Sequence, residues 1–399
     1  MPRTYLDHNA SSSLRPAARD AMVAVLEQTG NASSIHREGR AARAAIERAR
    51  KQVAGLVGCP ADGIIFTSGA TEAAHLGLTP DIEADGVLRP ASRLYVSAVE
   101  HPCVLAGGRF AAEQITHLPV NRSGVVESDT VAAALAKHDY DEGLPFFAVQ
   151  LVNSETGIVQ QVAEIARMVR LKGGYVLCDA VQAAGRMPID IATLGVDFLL
   201  LSAHKFGGPQ GVGALVCSHD ILRLSPVFGG GGQELKRRAG TENIAAIVGM
   251  GVAAEEAAAD ATDYRRLSRL TASIEAQLAP ICAGNGVAPE RLAVFGEGAQ
   301  RVGNTICFAV NGLRAETALI AFDLDGVALS SGSACSSGKV GKSHVLAATA
   351  VDEELARGAL RVSLGWNTTA DDADAFLAAF DRITRRLGVM LNEDLSGVA

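Results

Sequence analysis

The chain has 399 residues, 48% of them hydrophobic and 20% charged, with a formal net charge of −8. That length exceeds one compact core of the usual size, so two domains or one large α/β domain are expected, and the ordinary composition excludes a disordered chain. The acidic balance excludes a broad nucleic-acid surface, which needs a dense basic patch.

The first residues, "MPRTYLDHNASSS", contain no apolar leader segment, and no uninterrupted apolar run approaches a membrane span. The expectation is a chain that is neither exported nor inserted. Residues 36–56, "HREGRAARAAIERARKQVAGL", repeat apolar positions at helical spacing with arginines between them, the pattern of a helix with a solvated charged face. "GIIFTS", "SRLYVSA", "PFFAVQLVN", "GYVLCDA", "DFLLLSAH" and "GALVCS" then read as strands separated by Ala-rich amphipathic helices, which predicts a mainly parallel sheet covered on both faces. "GMGVAA" at 249–254 fits a dinucleotide pattern, but no strand precedes it, so helix packing is expected there. From about residue 259 the pattern changes to a smaller α+β arrangement: a charged helix, then "GNTICFAVNG", "GVALSSGSAC", "GALRVSLG" and a last helix from Asp371.

Seven cysteines, at 59, 103, 178, 217, 282, 307 and 335, are odd in number and form no CxxC pair, which points to reduced thiols in a cytoplasmic compartment. Cys178, Cys217 and Cys307 lie in apolar strands and read as core. Cys335 differs, because "SSGSACSSG" surrounds it with small, polar, flexible residues.

Ligands of open α/β sheets bind at the carboxyl ends of strands, and three such ends carry chemistry here. "FTSGATE" runs from strand into helix, leaving Ser68-Gly69-Ala70-Thr71 as either a phosphate cradle or a plain helix cap. "VLCDAVQ" ends a strand with Asp179, three residues before Gln182, and the Asp alone could simply cap a helix. "LLLSAHKFGG" ends another with Ser202, His204 and Lys205, where a lysine could also be a solvated charge. Together the loops supply a phosphate site, a carboxylate and an amine, the set that holds pyridoxal phosphate.

With these segments in view, the sequence resembles a known family. "YLDHNASS", "GNASSIHREGR", "FTSGATE", "EHPCV", "VNSETG", "CDAVQAAGRMPID", "SAHKFGGPQGVGAL", "GGGGQE", "RAGTEN", "SSGSACSSGK", "SHVL" and "LRVSLG" follow the order and spacing of the cysteine desulfurases of the nitrogen-fixation and iron-sulfur-assembly class. The resemblance implies the fold-type I pyridoxal-phosphate transferase architecture, an α/β fold with a large cofactor-binding domain at 15–258. Residues 1–14 and 259–399 would form a small domain carrying the cysteine loop.

By the same resemblance Lys205 would carry the cofactor and move the Cα proton, Asp179 would pair with the pyridinium nitrogen, and Gln182 would reach the phenolic oxygen. His101 would stack on the ring and assist proton transfer, while Ala70, Thr71, Ser202 and His204 would hold the phosphate. Thr241 would reach the phosphate in the other subunit of a homodimer. Asn153 and Arg361 would take the carboxylate of L-cysteine. Cys335 would accept its sulfur as a persulfide, release alanine, and hand the sulfur to an acceptor protein such as an iron-sulfur scaffold. A selenocysteine lyase would share every cofactor residue, and a non-catalytic sulfur-transfer scaffold is the other alternative. Ala32, Ala74-His75 and Lys342 depart from the usual pattern of Pro, Asn-Asn and Pro.

Overall fold

A computed structural model describes residues 3–218, 222–262, 265–332 and 342–396. Its centre is a seven-stranded sheet in the order Ile64–Thr67, Gly213–Cys217, Phe198–Ser202, Tyr175–Asp179, Leu144–Gln150, Ala91–Ser97 and Ile115–Leu118. All six strands expected in this region are present, and Ile115–Leu118 at the edge is one more. Only Gly213–Cys217 runs antiparallel to its neighbours. The connection from Ser202 back to Gly213 is too short for the crossover that a parallel pair requires, so the chain must return in the opposite sense. Gly213 is also needed for close approach, since a Cβ there would lie 2.7 Å from the carbonyl carbon of Gly69.

Along Leu144–Gln150, Phe147 and Val149 enter one apolar cluster while Phe146 and Ala148 enter another on the opposite face. Such alternation, with Phe146 to Val149 all apolar, is what a strand buried on both faces produces. The first cluster is closed by the helices Pro16–Leu26, Arg37–Val57 and Ile244–Thr262. "GMGVAA" lies inside the last of these, where a Cβ on Gly251 would come within 2.6 Å of Ala49 Cα. Its glycines therefore serve helix contact. Arg50 corrects the expectation of a wholly solvated charged face. It is buried and forms a two-pronged pair with the carboxylate of Glu234, both contacts 2.8 Å.

The remaining chain builds a four-stranded antiparallel sheet in the order Leu292–Val294, Thr305–Val310, Leu360–Ser363, Ser330–Ser331. It packs on the helices Arg265–Gly284, Ala315–Leu324 and Ala370–Ser396 through its own cluster around Phe308, Phe322, Phe376 and Phe380. The expected strand over "GVALSS" is two, divided at Leu329. Val327–Ala328 pairs in parallel with Thr4–Tyr5, and Ser330–Ser331 pairs with Leu360 and Arg361. The chain start thus forms a separate two-stranded sheet with the late chain, and Leu6 belongs to the same apolar cluster as the four-stranded sheet.

Among the described residues, no helix is long and apolar enough to cross a membrane. The six cysteines that lie among them are free.

Candidate active site

The parallel strands end on one edge of the central sheet, and a cavity of about 420 Å³ opens there. Asp179 and Ser202 are the last residues of adjacent strands, and Lys205 follows Ser202 on one 3-10 turn. Ala70, Thr71, His101, Gln182, His204 and Arg361 complete the expected residues on its wall. The helix Ala70–Gly77 begins at the cavity without a side-chain cap, so its first N–H groups are left for a ligand. This favours the cradle reading of "SGAT" over the capping one.

Asp179 is buried, and its Oδ1 accepts from Val181 N at 2.9 Å. Burial raises its carboxyl to about 6, against the pull of the Val181 N–H and the Lys205 ammonium. A cationic ring nitrogen would relieve that cost, and a neutral ligand would not. Lys205 Nζ donates to the carbonyls of Asn9 at 2.6 Å and Ala10 at 2.9 Å. Gln182 donates to Asn9 O at 3.0 Å and accepts from Arg186.

His101 caps the helix Pro102–Leu105: its Nδ1 accepts from Cys103 N at 3.2 Å and lies 3.0 Å from Cys103 Sγ. An accepting Nδ1 assigns the ring proton to Nε2. Burial and the charge of Lys205 push His101 down to about 4, and the same two causes act on His204. His8 is likewise held near 4 by burial and by Arg186. All three lie below their unfolded value of 6.5. Each therefore favours the fold above that pH and loses its contribution as pH falls toward 4.

Asn153 is not brought to the cavity wall. Its Oδ1 accepts from Glu155 N, Thr156 N and Thr156 Oγ1, and its Nδ2 donates to Val99 O. The whole amide is used to fold the turn after Leu144–Gln150, and its neighbour Ser154 lines the cavity instead. Arg361 is buried, donating to Asp7 Oδ1 at 2.8 Å and Ser154 O at 3.0 Å, with Nε unpartnered. Thr241 is exposed and does not line this cavity. Cys335 lies outside the described residues.

Several participants have no local sequence signal. Asp7, Asn9 and Ala10 come from the chain start, and Arg186 donates to the carbonyls of His8 and Lys205. The quoted segment "YLDHNASS" marked the place, but only the fold shows what it touches. Among the described residues, no group of three or more His, Cys, Asp or Glu could hold a metal ion.

A lysine and a buried aspartate at neighbouring strand ends, beside an open helix start, define an aminotransferase-type site. The profile of the class V aminotransferases (Aminotransferase class-V) matches residues 4–376. The chain is 37% identical to the cysteine desulfurase IscS of Dictyoglomus turgidum, with 96% of this chain and 95% of that one aligned. It is 36% identical to the IscS-like cysteine desulfurase of Mycobacterium tuberculosis, over 94% of each. The structure of a NifS-like protein from Rickettsia africae superposes with a TM-score of 0.83 at 31% identity, covering 96% of this chain and 99% of that one. The chain belongs to the class V aminotransferase family, in its cysteine desulfurase branch.

Proposed function

We propose that this chain is a pyridoxal-phosphate-dependent cysteine desulfurase, which takes the sulfur of L-cysteine onto Cys335 and releases L-alanine. The observation that carries the reading is the shared cavity of Lys205, Asp179 and His101 at the uncapped start of Ala70–Gly77. These residues fit the cofactor: the uncapped helix start suits a phosphate, and the buried carboxylate suits a protonated ring nitrogen. When bound, the cofactor supplies an electron sink that makes the amino-acid Cα proton acidic.

Lys205 Nζ would hold the cofactor covalently and then move the Cα proton. Asp179 would keep the ring nitrogen protonated, with Gln182 at the phenolic oxygen. Thr71, Ser202, His204 and the Ala70 backbone would bind the phosphate. His101 would stack on the ring and present Nε2–H for proton transfer. Arg361 would clamp the substrate carboxylate with its guanidinium fork, while Asn153 would act through the shape of the turn that presents Ser154. The Cys335 thiolate would attack the substrate sulfur, forming an S–S bond as the C–S bond breaks. The released electron pair stays with the three-carbon fragment, which takes up a proton and leaves as alanine. The persulfide would then pass to an acceptor protein such as an iron-sulfur scaffold. In this reading 15–258 binds the cofactor, 1–14 with 259–399 carries Cys335, and the protein works in the cytoplasm.

Incubation of the purified, cofactor-loaded protein with L-cysteine is expected to yield alanine and a protein persulfide. Borohydride reduction is expected to fix the pyridoxyl group to Lys205. A pyridoxyl group on another lysine, or no alanine, would sink the reading.

The exposed Thr241, which does not line its own cavity, supports a symmetric homodimer in which each protomer completes the phosphate site of the other. Light scattering should report a dimer. Thr241→Ala should weaken cofactor binding about tenfold, the worth of one hydrogen bond to a charged group. A stable monomer with full cofactor occupancy would contradict this.

A further inference from the structure

Glu155 is a buried carboxylate with no part in the chemistry above. It sits in the turn shaped by Asn153, and its Oε2 accepts from Ser343 Oγ at 2.5 Å. Ser343 is the cap of the helix His344–Ala348, its Oγ accepting from Leu346 N at 3.0 Å. The same Oε2 lies 3.5 Å from where a Cβ on Gly332 would stand. Gly332 and Ser343 are on either side of residues 333–341, the segment whose sequence contains Cys335. The carboxylate therefore bonds one described end of that segment and lies near the other. A buried carboxylate is costly to keep, and an apolar residue would fill the space without that cost.

Burial pushes Glu155 up to about 7, against the Ser343 hydroxyl and the Arg361 guanidinium. Its charged and titratable neighbours are Arg361, which is paired with Asp7, and the buried Cys307 thiol. His344, on the helix that Ser343 caps, is engaged with Glu100 O.

We propose that Glu155 is a positioning residue for sulfur transfer, holding the Ser343 end of the cysteine-bearing segment by hydrogen bond. The inference rests on the desulfurase reading. A hydroxyl that both donates to a carboxylate and caps a helix transmits that carboxylate's presence to the helix end. Loss of either partner then releases the same constraint.

The test is a double-mutant cycle of Glu155→Gln and Ser343→Ala in the cofactor-loaded protein, with Ser343→Thr as the conservative control. Each single change is expected to lower kcat for alanine formation about tenfold, the worth of one buried hydrogen bond, with KM and the cofactor absorption unchanged. The double variant should be no slower than the slower single one, and Ser343→Thr should restore the rate. Amide hydrogen exchange in His344–Ala348 should quicken in both single variants. Additive effects, a loss confined to KM or to cofactor binding, or unchanged exchange in Glu155→Gln would each overturn the proposal. A parent chain that makes no alanine would defeat the desulfurase reading, and exchange alone would then decide whether Glu155 holds the helix end.

Discussion

Cys335→Ser is expected to lower alanine production from L-cysteine by roughly three orders of magnitude or more, the scale on which a covalent nucleophile is lost. Serine keeps the size of the side chain and the small, polar character of "SSGSACSSG", but its hydroxyl is almost wholly protonated at neutral pH and attacks sulfur poorly. The variant should fold, bind the cofactor and bind L-cysteine. Alkylation followed by mass spectrometry should find persulfide on Cys335 in the parent protein alone. The nearest rival is Cys103, which lines the cavity. Burial, reinforced by Asp179 and Glu100, raises its thiol to about 12, so almost none of it is thiolate at neutral pH. Cys282 is raised to about 11 by burial. Near-parental alanine production in the Ser variant, or persulfide on Cys103 or Cys282, would refute the mechanism.

Lys205→Ala should remove the visible absorption of the bound cofactor and depress alanine formation by roughly three orders of magnitude or more, since one side chain both anchors the cofactor and moves the proton. The fold should survive. What it loses are the Nζ contacts to the carbonyls of Asn9 and Ala10. A second reading of the same variant is electrostatic. The ammonium of Lys205 contributes to holding His101 and His204 down to about 4, so removing it should raise both values. Burial remains as the larger cause, so neither should reach an ordinary 6.5. Imidazole NMR titration would measure this. Retained activity, or histidines that do not move, would contradict the placement of Lys205 at the centre of the site.

The strand-end residues were legible because their signal is local. A strand that stops at Asp179 or Ser202 declares its end by the change from apolar run to Gly, Ala and polar residues, and the sheet architecture brings such ends together. Asn153 was harder, since its amide could reach a ligand or fold its own turn, and only the register of Glu155 and Thr156 shows the second. Arg50 read as a solvated helix charge because its partner, Glu234, is 184 residues away. Glu155 gave no signal for the same reason: Ser343 is 188 residues distant. The antiparallel strand Gly213–Cys217 and the division at Leu329 depend on which neighbours a strand meets. Periodicity cannot report that.

The chain start has a consequence for the order in which this protein can be made. Thr4–Tyr5 finds its strand partner at Val327–Ala328, and Leu6 O receives the N–H of Ser363. Asn9 and Ala10, which hold Lys205, are reached early by Gln182 and Ser154, but Thr305 and Ser363, which also bond Asn9, leave the ribosome about three hundred positions later. A chain made only as far as Cys217 has the strands of its central sheet and still lacks the Thr305 and Ser363 contacts to Asn9. Long-range closure of this kind is slow, so the lysine site gains its last supports only when the late part of the same molecule has been synthesised.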